Sequence, residues 1–436
     1  MKQLKQGTSV PLTNGTNAVV RKLDKYVATL DLPDGVTVTP AGLASINGKD
    51  YALKIYAKKP SPLFRKNMAE NIRKGAPTKH FLWMKWLVDT PKMFGYVMDV
   101  RPKEYEDFSK FLIARTRFAS WSAMINAALQ ISYAFRALHR LGLSYQDLND
   151  GNFFFNPQTG DVLICDNDNV CPADTNLGIK GKCRYMAPEV VLGKSNPNNL
   201  SDYFSLGVVL FMLLFNNHPF DGAKVASVPC LNDAIEKEVY GKHPVFIYDK
   251  TDKSNRPIKG VHKNVMMRWD IFPKFIQDTF IEEFCKEVLS NPNRRKSDNE
   301  WIKLFTHLRN QIITCTCGCE TFIDVEQSYS TCFNCGKKIQ QPLILHVGKQ
   351  SIALLPGMRL YECLTDGKED GLFEATGEVV RNKQNPSLWG ISNRSKTTWT
   401  CTLPDGRTME VPTGKGLPIF KNVQIKFTDK ITGNIN

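Results

Sequence analysis

The chain has 436 residues, of which 42% are hydrophobic and 23% charged, and it carries a net charge of +14. This is a globular composition with enough length for two or three domains and a sizeable core, which excludes a disordered or fibrous chain. The positive balance favours anionic partners, whether phosphates, nucleic acid or acidic proteins, without choosing among them. The N-terminus, MKQLKQGTSV, lacks the apolar stretch of a secretory signal. The longest apolar run, LGVVLFMLLF at 206–215, is about half the length a bilayer needs and reads as a buried helix. The expectation is a cytoplasmic protein with no membrane partner, whose clustered cysteines are reduced metal ligands rather than disulfides.

In chain order, the first informative stretch is LPDGVTVTPAGLASINGKDYALK, ending at Lys54. It reads either as a phosphate-covering segment or as a plain hairpin with turns at Asp34-Gly35 and Asn47-Gly48. Tyr51-Ala52-Leu53-Lys54-Ile55 is a strand with one lysine. RKNMAENIRKG (65–75) is a helix whose only acidic residue is Glu70. INAALQISYAFRALHRLGL (125–143) has apolar residues at helical spacing and a glycine stop. The loop YQDLNDGN (145–152) comes next, then a hairpin, FFFNPQTGDVLICDND, that ends in Asp166-Asn167-Asp168. Further on come Met186-Ala187-Pro188-Glu189, Ser201-Asp202-Tyr203-Phe204-Ser205-Leu206-Gly207 and Asn291-Pro292-Asn293-Arg294-Arg295.

Each of these is weak alone; their order is what discriminates. Asp147-Leu148 with Asn152 matches the second half of the protein-kinase catalytic loop H-R-D-L-x-x-x-N. Asp166 stands where D-F-G begins, MAPE where A-P-E lies, and Lys54 where V-A-I-K places its lysine. The expected fold is α+β, a bilobal protein-kinase-like domain over 1–310, with a small lobe over about 1–100 and a large lobe over about 101–310. In this reading Lys54 positions the α/β-phosphates of ATP and is held by Glu70. Asp166 and Asn152 hold magnesium, and Asp147 orients the acceptor hydroxyl. Glu189 would pair with Arg295, and Asp202 would brace the catalytic loop.

Four departures stand out. Gly35, Gly42 and Gly48 do not form G-x-G-x-x-G, and Pro40 sits where backbone N–H groups are wanted. Gln146 replaces the arginine that receives an activation-loop phosphate. Asn149 replaces the lysine two residues after the catalytic aspartate, and Lys182 stands in place of the threonine before R-Y-M-A-P-E.

TCTCGCETF (314–322) and TCFNCGKKI (331–339) read as two zinc knuckles over 311–340. Cys332-x-x-Cys335-Gly is one half-site. Cys315 and Cys317 are preferred for the other, because Gly318 then follows the second ligand as Gly336 follows Cys335; Cys319 is the alternative. Four thiolates would make a closed structural zinc site. CETFIDVEQ is acidic, so nothing there favours nucleic acid. Residues 341–436 alternate like an all-β sandwich or barrel. LWGISNRSKTTWTCTLPDGRTMEVPTGKGLPIF resembles the later strands of a forkhead-associated domain, a phosphothreonine reader, but the early Gly-Arg and Ser-x-x-His signatures are absent. A protein or phosphoprotein partner for this β-domain is the expectation, with no binding residue assigned.

Taken together, GAPTKHFLW (75–83), YQDLNDGNFFFNPQTGDVLICDNDN (145–169) and CTCGCETF (315–322) resemble bacterial eukaryotic-like protein kinases with a C-terminal zinc ribbon and β-domain, found with tellurite-resistance or stress-response gene clusters. In that group Y-Q-D replaces H-R-D and D-N-D-N replaces D-F-G. The resemblance implies Ser/Thr-type transfer from ATP with Mg²⁺ to a protein substrate. The rival expectation is a pseudokinase scaffold that recruits partners through its ribbon and β-domain.

Overall fold

The computed structural model describes residues 6–23, 38–56, 58–175, 177–178, 181–325, 327–385 and 387–436. The chain divides into two compact units. The first comprises Met1–Ala119, Asn126–Trp269 and Gln277–Trp301, and the second Ser120–Ile125, Asp270–Ile276 and Ile302–Asn436.

The first unit opens with strands β1 (Ser9–Pro11), β2 (Asn17–Leu23), β3 (Val38–Ile46) and β4 (Lys49–Tyr56). Helix α1 (Pro62–Lys74) and strands β5 (Met84–Asp89) and β6 (Phe94–Asp99) come next. The strands form one antiparallel sheet in the order β1-β2-β3-β4-β6-β5. Alternation puts Val10, Val20, Ala44, Leu53, Ile55, Val88 and Val97 into a shared core. Asn47 and Gly48 both have positive φ, the geometry of a tight hairpin turn, and they join β3 to β4. The other turn expected from sequence, at Asp34-Gly35, lies outside the described residues. The Lys54 strand, β4, is fourth in this order.

Helix α1 begins where Ser61 Oγ accepts the Phe64 N–H at 3.2 Å and Pro62 fills the first turn; it stops at Gly75. It buries Phe64, Asn67, Met68 and Asn71, one face at helical spacing.

The larger part of this unit holds β7 (Glu106–Asp107), α2 (Phe108–Leu112), α3 (Trp121–Arg140, in this unit from Asn126 on), β8 (Leu143–Ser144), β9 (Phe153–Phe155), β10 (Val162–Ile164), β11 (Cys171–Pro172), α4 (Pro188–Val191) and α5 (Asn199–Phe215). The three phenylalanines after YQDLNDGN are β9. It pairs antiparallel with β10 and β7, and Phe153 and Phe155 are buried. Phe155 stacks on Phe118 at 4.2 Å between centroids. Helix α5 is buried nearly all round, as its unbroken apolar sequence requires. An Asn198/Ser201 capping box starts it and Asn216 in the left-handed region ends it. Arg295 forms two parallel bonds to Glu189, both 2.8 Å, and a third to the Leu200 carbonyl. This fork ties α4 to the end of the unit.

In the second unit two hairpins come first: Ile312–Thr314 with Glu320–Phe322, and Tyr329–Thr331 with Lys338–Gln340. The remainder is β-rich. A six-stranded sheet and a four-stranded sheet share one core, which holds Leu345, Ile352, Val379, Ile391, Trp399, Ile425 and Phe427. Among the described residues, no helix is long and apolar enough to cross a membrane.

His139, near the end of α3, lies between two carboxylates of the first unit: Nε2 is 3.1 Å from Asp202 and Nδ1 is 2.8 Å from Asp298. Burial alone would lower its pKa, but hydrogen bonds to Asp202 and Asp298 outweigh this and raise it to about 9. The imidazolium's contribution to stability is therefore complete below pH 6.5 and lost as pH rises through about 9. The unfolding free energy of the first unit should fall by about 3 kcal/mol between pH 6.5 and 9.5. Urea unfolding across that range should show the fall in the wild type and a flattened profile in His139→Gln.

Candidate active site

Lys54 points from β4 into a site closed on its other sides by the turn after β10. Its side chain is 8% exposed, and its ammonium is 3.0 Å from Asp168 Oδ2 and 3.3 Å from Asp166 Oδ1. Burial works against the charge. The two carboxylates more than restore it and hold the lysine pKa well above its ordinary value. Tyr56, two residues on, donates its hydroxyl to the same Asp168 oxygen. Burial, then the Asp168 charge, drives that phenol's pKa well up, so it is a permanent donor.

The expected partner of Lys54 was Glu70, and this is corrected. Glu70 lies on the exposed face of α1. The inward face offers Asn67 and Asn71, whose side-chain amides both donate to the Val170 carbonyl at 2.7 Å. One helical position decides this: 67 and 71 share the buried stripe with Phe64 and Met68, and 70 falls outside it. Asp168, which a D-F-G comparison treats as a lost glycine, is the buried carboxylate that Lys54 meets. Its sequence signal was the doubled acid of D-N-D-N. Asn167, in the phenylalanine position, is buried too and spends its amide on the carbonyls of Leu82 and Ile164.

The loop at 145–152 runs from β8 to β9. Asp202 at the start of α5 accepts the Tyr145 backbone N–H at 2.7 Å, so α5 holds the loop's entry. The Tyr145 hydroxyl donates to the Cys165 carbonyl, just before Asp166. Asn152 donates to that hydroxyl at 3.2 Å and to the Asp147 carbonyl at 2.8 Å. This fixes its side chain and leaves Oδ1 as its acceptor. Asp147 is buried; burial, opposed chiefly by a hydrogen bond from Asn149, pushes its carboxyl up to about 6. Gln146 and Asp166 both sit in the left-handed region, at φ 65° and 54°, so backbone strain brackets the site. Lys54, Asp147, Asn152 and Asp166 thus gather around one loop and one turn.

Gln146 donates to the Thr175 carbonyl at 2.6 Å. An uncharged amide therefore ties the segment after Asp166 to the catalytic loop. Of the sequence's phosphate-covering stretch, Gly42 is in β3 and Gly48 in the β3–β4 turn, while Gly35 lies outside the described residues.

In the second unit, Cys315, Cys317, Cys332 and Cys335 place their four sulfurs within 4.8 Å of one another. The Cys315–Cys335 and Cys317–Cys332 sulfurs are 3.7 and 3.8 Å apart. Gly318 and Gly336, which follow the two half-sites, both have positive φ and let each chain turn back. Cys319 is outside this group of four.

A sheet carrying a buried lysine, a catalytic loop braced by a helix aspartate and an acidic turn beneath the lysine define a protein kinase fold. The protein kinase domain family matches residues 47–300, more than half of the chain, and the chain belongs to this family. Among curated proteins it is similar to the serine/threonine-protein kinase sck2 of Schizosaccharomyces pombe, 27% identical over 182 residues, which cover 39% of this chain and 27% of that one. It is also similar to the serine/threonine-protein kinase YPK3 of Saccharomyces cerevisiae, 30% identical over 159 residues, covering 33% and 29%. A third is the human SNF-related serine/threonine-protein kinase, 30% identical over 149 residues, covering 34% and 17%. The chain spans under a third of the length of these relatives.

The two acidic candidates for Lys54 separate experimentally. Asp168→Asn should lower the unfolding free energy by about 3 kcal/mol, because it removes the nearer and fully buried one of the two carboxylates that neutralise a buried ammonium. Glu70→Gln changes an exposed side chain and should cost less than about 0.5 kcal/mol. Denaturant unfolding of both variants checks this; equal costs would return Glu70 to the role the sequence assigned it.

Proposed function

We propose that the protein is an ATP- and Mg²⁺-dependent protein kinase that transfers the γ-phosphoryl group to a serine or threonine hydroxyl of a protein substrate. The observation that carries this reading is the gathering of Lys54, Asp147, Asn152 and Asp166 around one braced loop. The donor set fits the metal. Asp166 and the Asn152 amide oxygen are hard ligands, and the buried Asp168 Oδ1, which has no hydrogen-bond partner among the described residues, adds negative charge beside them. Bound there, magnesium neutralises charge on the transferring phosphates. Lys54 would meet the α/β-phosphates, with Asp168 as its counter-ion. Asp147, buried and hydrogen-bonded, would orient the acceptor hydroxyl and take its proton. Little covalent work falls to the protein, so positioning and charge placement supply most of the rate.

A second reading, a pseudokinase scaffold, is favoured by one observation: Gly42 and Gly48 are spent on a strand and a hairpin turn, not on a phosphate loop. The two readings part on two variants. Asp166→Ala should weaken Mg·ATP binding and abolish transfer. Asp147→Ala should lower transfer by at least about 100-fold while changing ATP affinity less than about threefold, since Asp147 touches neither phosphate nor metal before the reaction. Calorimetry with Mg·ATP and radiolabelled transfer measure both. A wild type that binds no nucleotide would sink the enzyme reading.

Three further parts belong to this proposal: a kinase domain over 1–310, a zinc ribbon over 311–340 and a β-domain over 341–436. A tetrahedral zinc with Zn–S bonds of about 2.3 Å needs sulfurs about 3.8 Å apart, and the 3.7 and 3.8 Å separations in the cluster support that assignment. Zinc is the metal we assign to Cys315, Cys317, Cys332 and Cys335. The β-domain is proposed to dock a protein or phosphoprotein partner, in a cytoplasmic kinase related to the bacterial, stress-cluster group. Protein purified without chelator should contain one zinc per chain by elemental analysis. Chelation should raise amide exchange in 311–340 and leave the catalytic loop protected; zinc-free protein with an unchanged exchange pattern would refute the assignment.

A further inference from the structure

The catalytic loop has no cation of its own to place beside a transferring phosphoryl group. At position 149, two residues after Asp147, the side chain is an amide, and its atoms are fully engaged. Asn149 Nδ2 donates to the Asp147 carbonyl and carboxylate at 3.2 and 3.1 Å, and Oδ1 accepts the Gly151 N–H at 3.0 Å. Lys54, the other cation at the site, is engaged by Asp166 and Asp168.

One ammonium does reach the loop, from the segment that follows Asp166. Lys182 Nζ is 3.2 Å from Asp150 Oδ1, and a methyl group built on Gly151 would lie 3.9 Å from it. The flanking residues pin it there. A methyl group on Gly181 would lie 3.3 Å from the Gln146 carbonyl, and Tyr185 is buried against the base of α5, where its carbonyl accepts from Ser205. Lys182 itself is 56% exposed, so its tip is free to swing.

We propose that Lys182 is a catalytic residue: its ammonium contacts the γ-phosphoryl group and supplies, from the activation segment, the positive charge that the loop lacks at Asn149. The inference rests on the kinase reading and deepens it. During transfer the bond from the acceptor oxygen to phosphorus forms as the bond from phosphorus to the leaving oxygen of ADP breaks. The hydroxyl proton passes to Asp147, and the Lys182 ammonium keeps its protons throughout. Its attraction grows as charge gathers on the phosphoryl oxygens, so it acts on turnover more than on ATP binding. Asp150 holds the ammonium in reserve when no phosphate competes for it.

The test moves the charge between the two positions. Full-length wild type, Lys182→Met, Lys182→Arg and the double variant Asn149→Lys/Lys182→Thr are assayed for radiolabelled transfer to a degenerate serine/threonine peptide library, with Mg·ATP varied. Lys182→Met should lower kcat by about 100-fold with KM for ATP within about threefold. Lys182→Arg should fall between the two. The double variant should recover at least about tenfold over Lys182→Met, because the charge returns to the same phosphate from the other side. A merely structural lysine would not be rescued in this way. A Lys182→Met enzyme within about threefold of wild type overturns the inference, as does a double variant no better than the single one. A wild type that transfers nothing overturns the kinase reading and this inference with it, so the two failures are distinguishable.

Discussion

The site is organised around a buried charge that must be neutralised. An ammonium that is 8% exposed cannot stay ionised unless carboxylates surround it, and Lys54 has two, Asp166 and Asp168. Both come from one short turn after β10, so the counter-charge enters from the larger lobe. The consequence reaches α1. A helix that no longer has to deliver a carboxylate can be fastened by neutral groups, and Asn67 and Asn71 do this through the Val170 carbonyl. Since Val170 directly follows the acidic turn, α1 is still fixed relative to Lys54, but through hydrogen bonds that carry no net charge.

The same substitution of amide for charge recurs around the loop. Gln146 holds the following segment through the Thr175 carbonyl. Asn149 holds Asp147, and Asn167 holds the backbone of Leu82 and Ile164. Each amide closes its contact without a counter-ion. Charge is then concentrated in a few places: the acidic turn, Asp147, Lys54, and Lys182 with Asp150. Salt screens the exposed Lys182–Asp150 pair and reaches Asp166, whose side chain is 40% exposed, while Lys54 and Asp168 are shielded by burial.

Much of this was legible in the sequence, for identifiable reasons. The order of short motifs along the chain indicated which residues would meet, because each motif occupies a set place in the fold: a strand, the loop before a hairpin, the turn after it. The Arg295–Glu189 fork and the bracing of Tyr145 by Asp202 followed from that order. What sequence reasoning missed is a matter of angle. Glu70 and Asn71 are adjacent in sequence but about 100° apart around a helix, and counting residues from Lys54 cannot say which one faces inward. Asp168 was missed for a related reason: judged against a motif that has glycine there, a second acid reads as a loss. The buried stripe Phe64, Met68 and Asn71 would have given the helix phase.

The grouping of the cysteines is the opposite case, where local backbone rules pointed to the four whose sulfurs lie together. Three cysteines at 315, 317 and 319 offer alternatives by spacing alone. A knuckle must turn the chain back after its second ligand, and the residue that does so favours glycine because φ there is positive. Gly318 and Gly336 adopt 85° and 71°, which sets Cys317 and Cys335 as equivalent positions and leaves Cys319 beyond the turn. The Cys319 carbonyl instead accepts the Cys315 N–H at 2.9 Å. Its backbone closes the knuckle while its sulfur stays outside the group of four. The Cys319 thiol is thus a neighbour of the group of four and not a member of it.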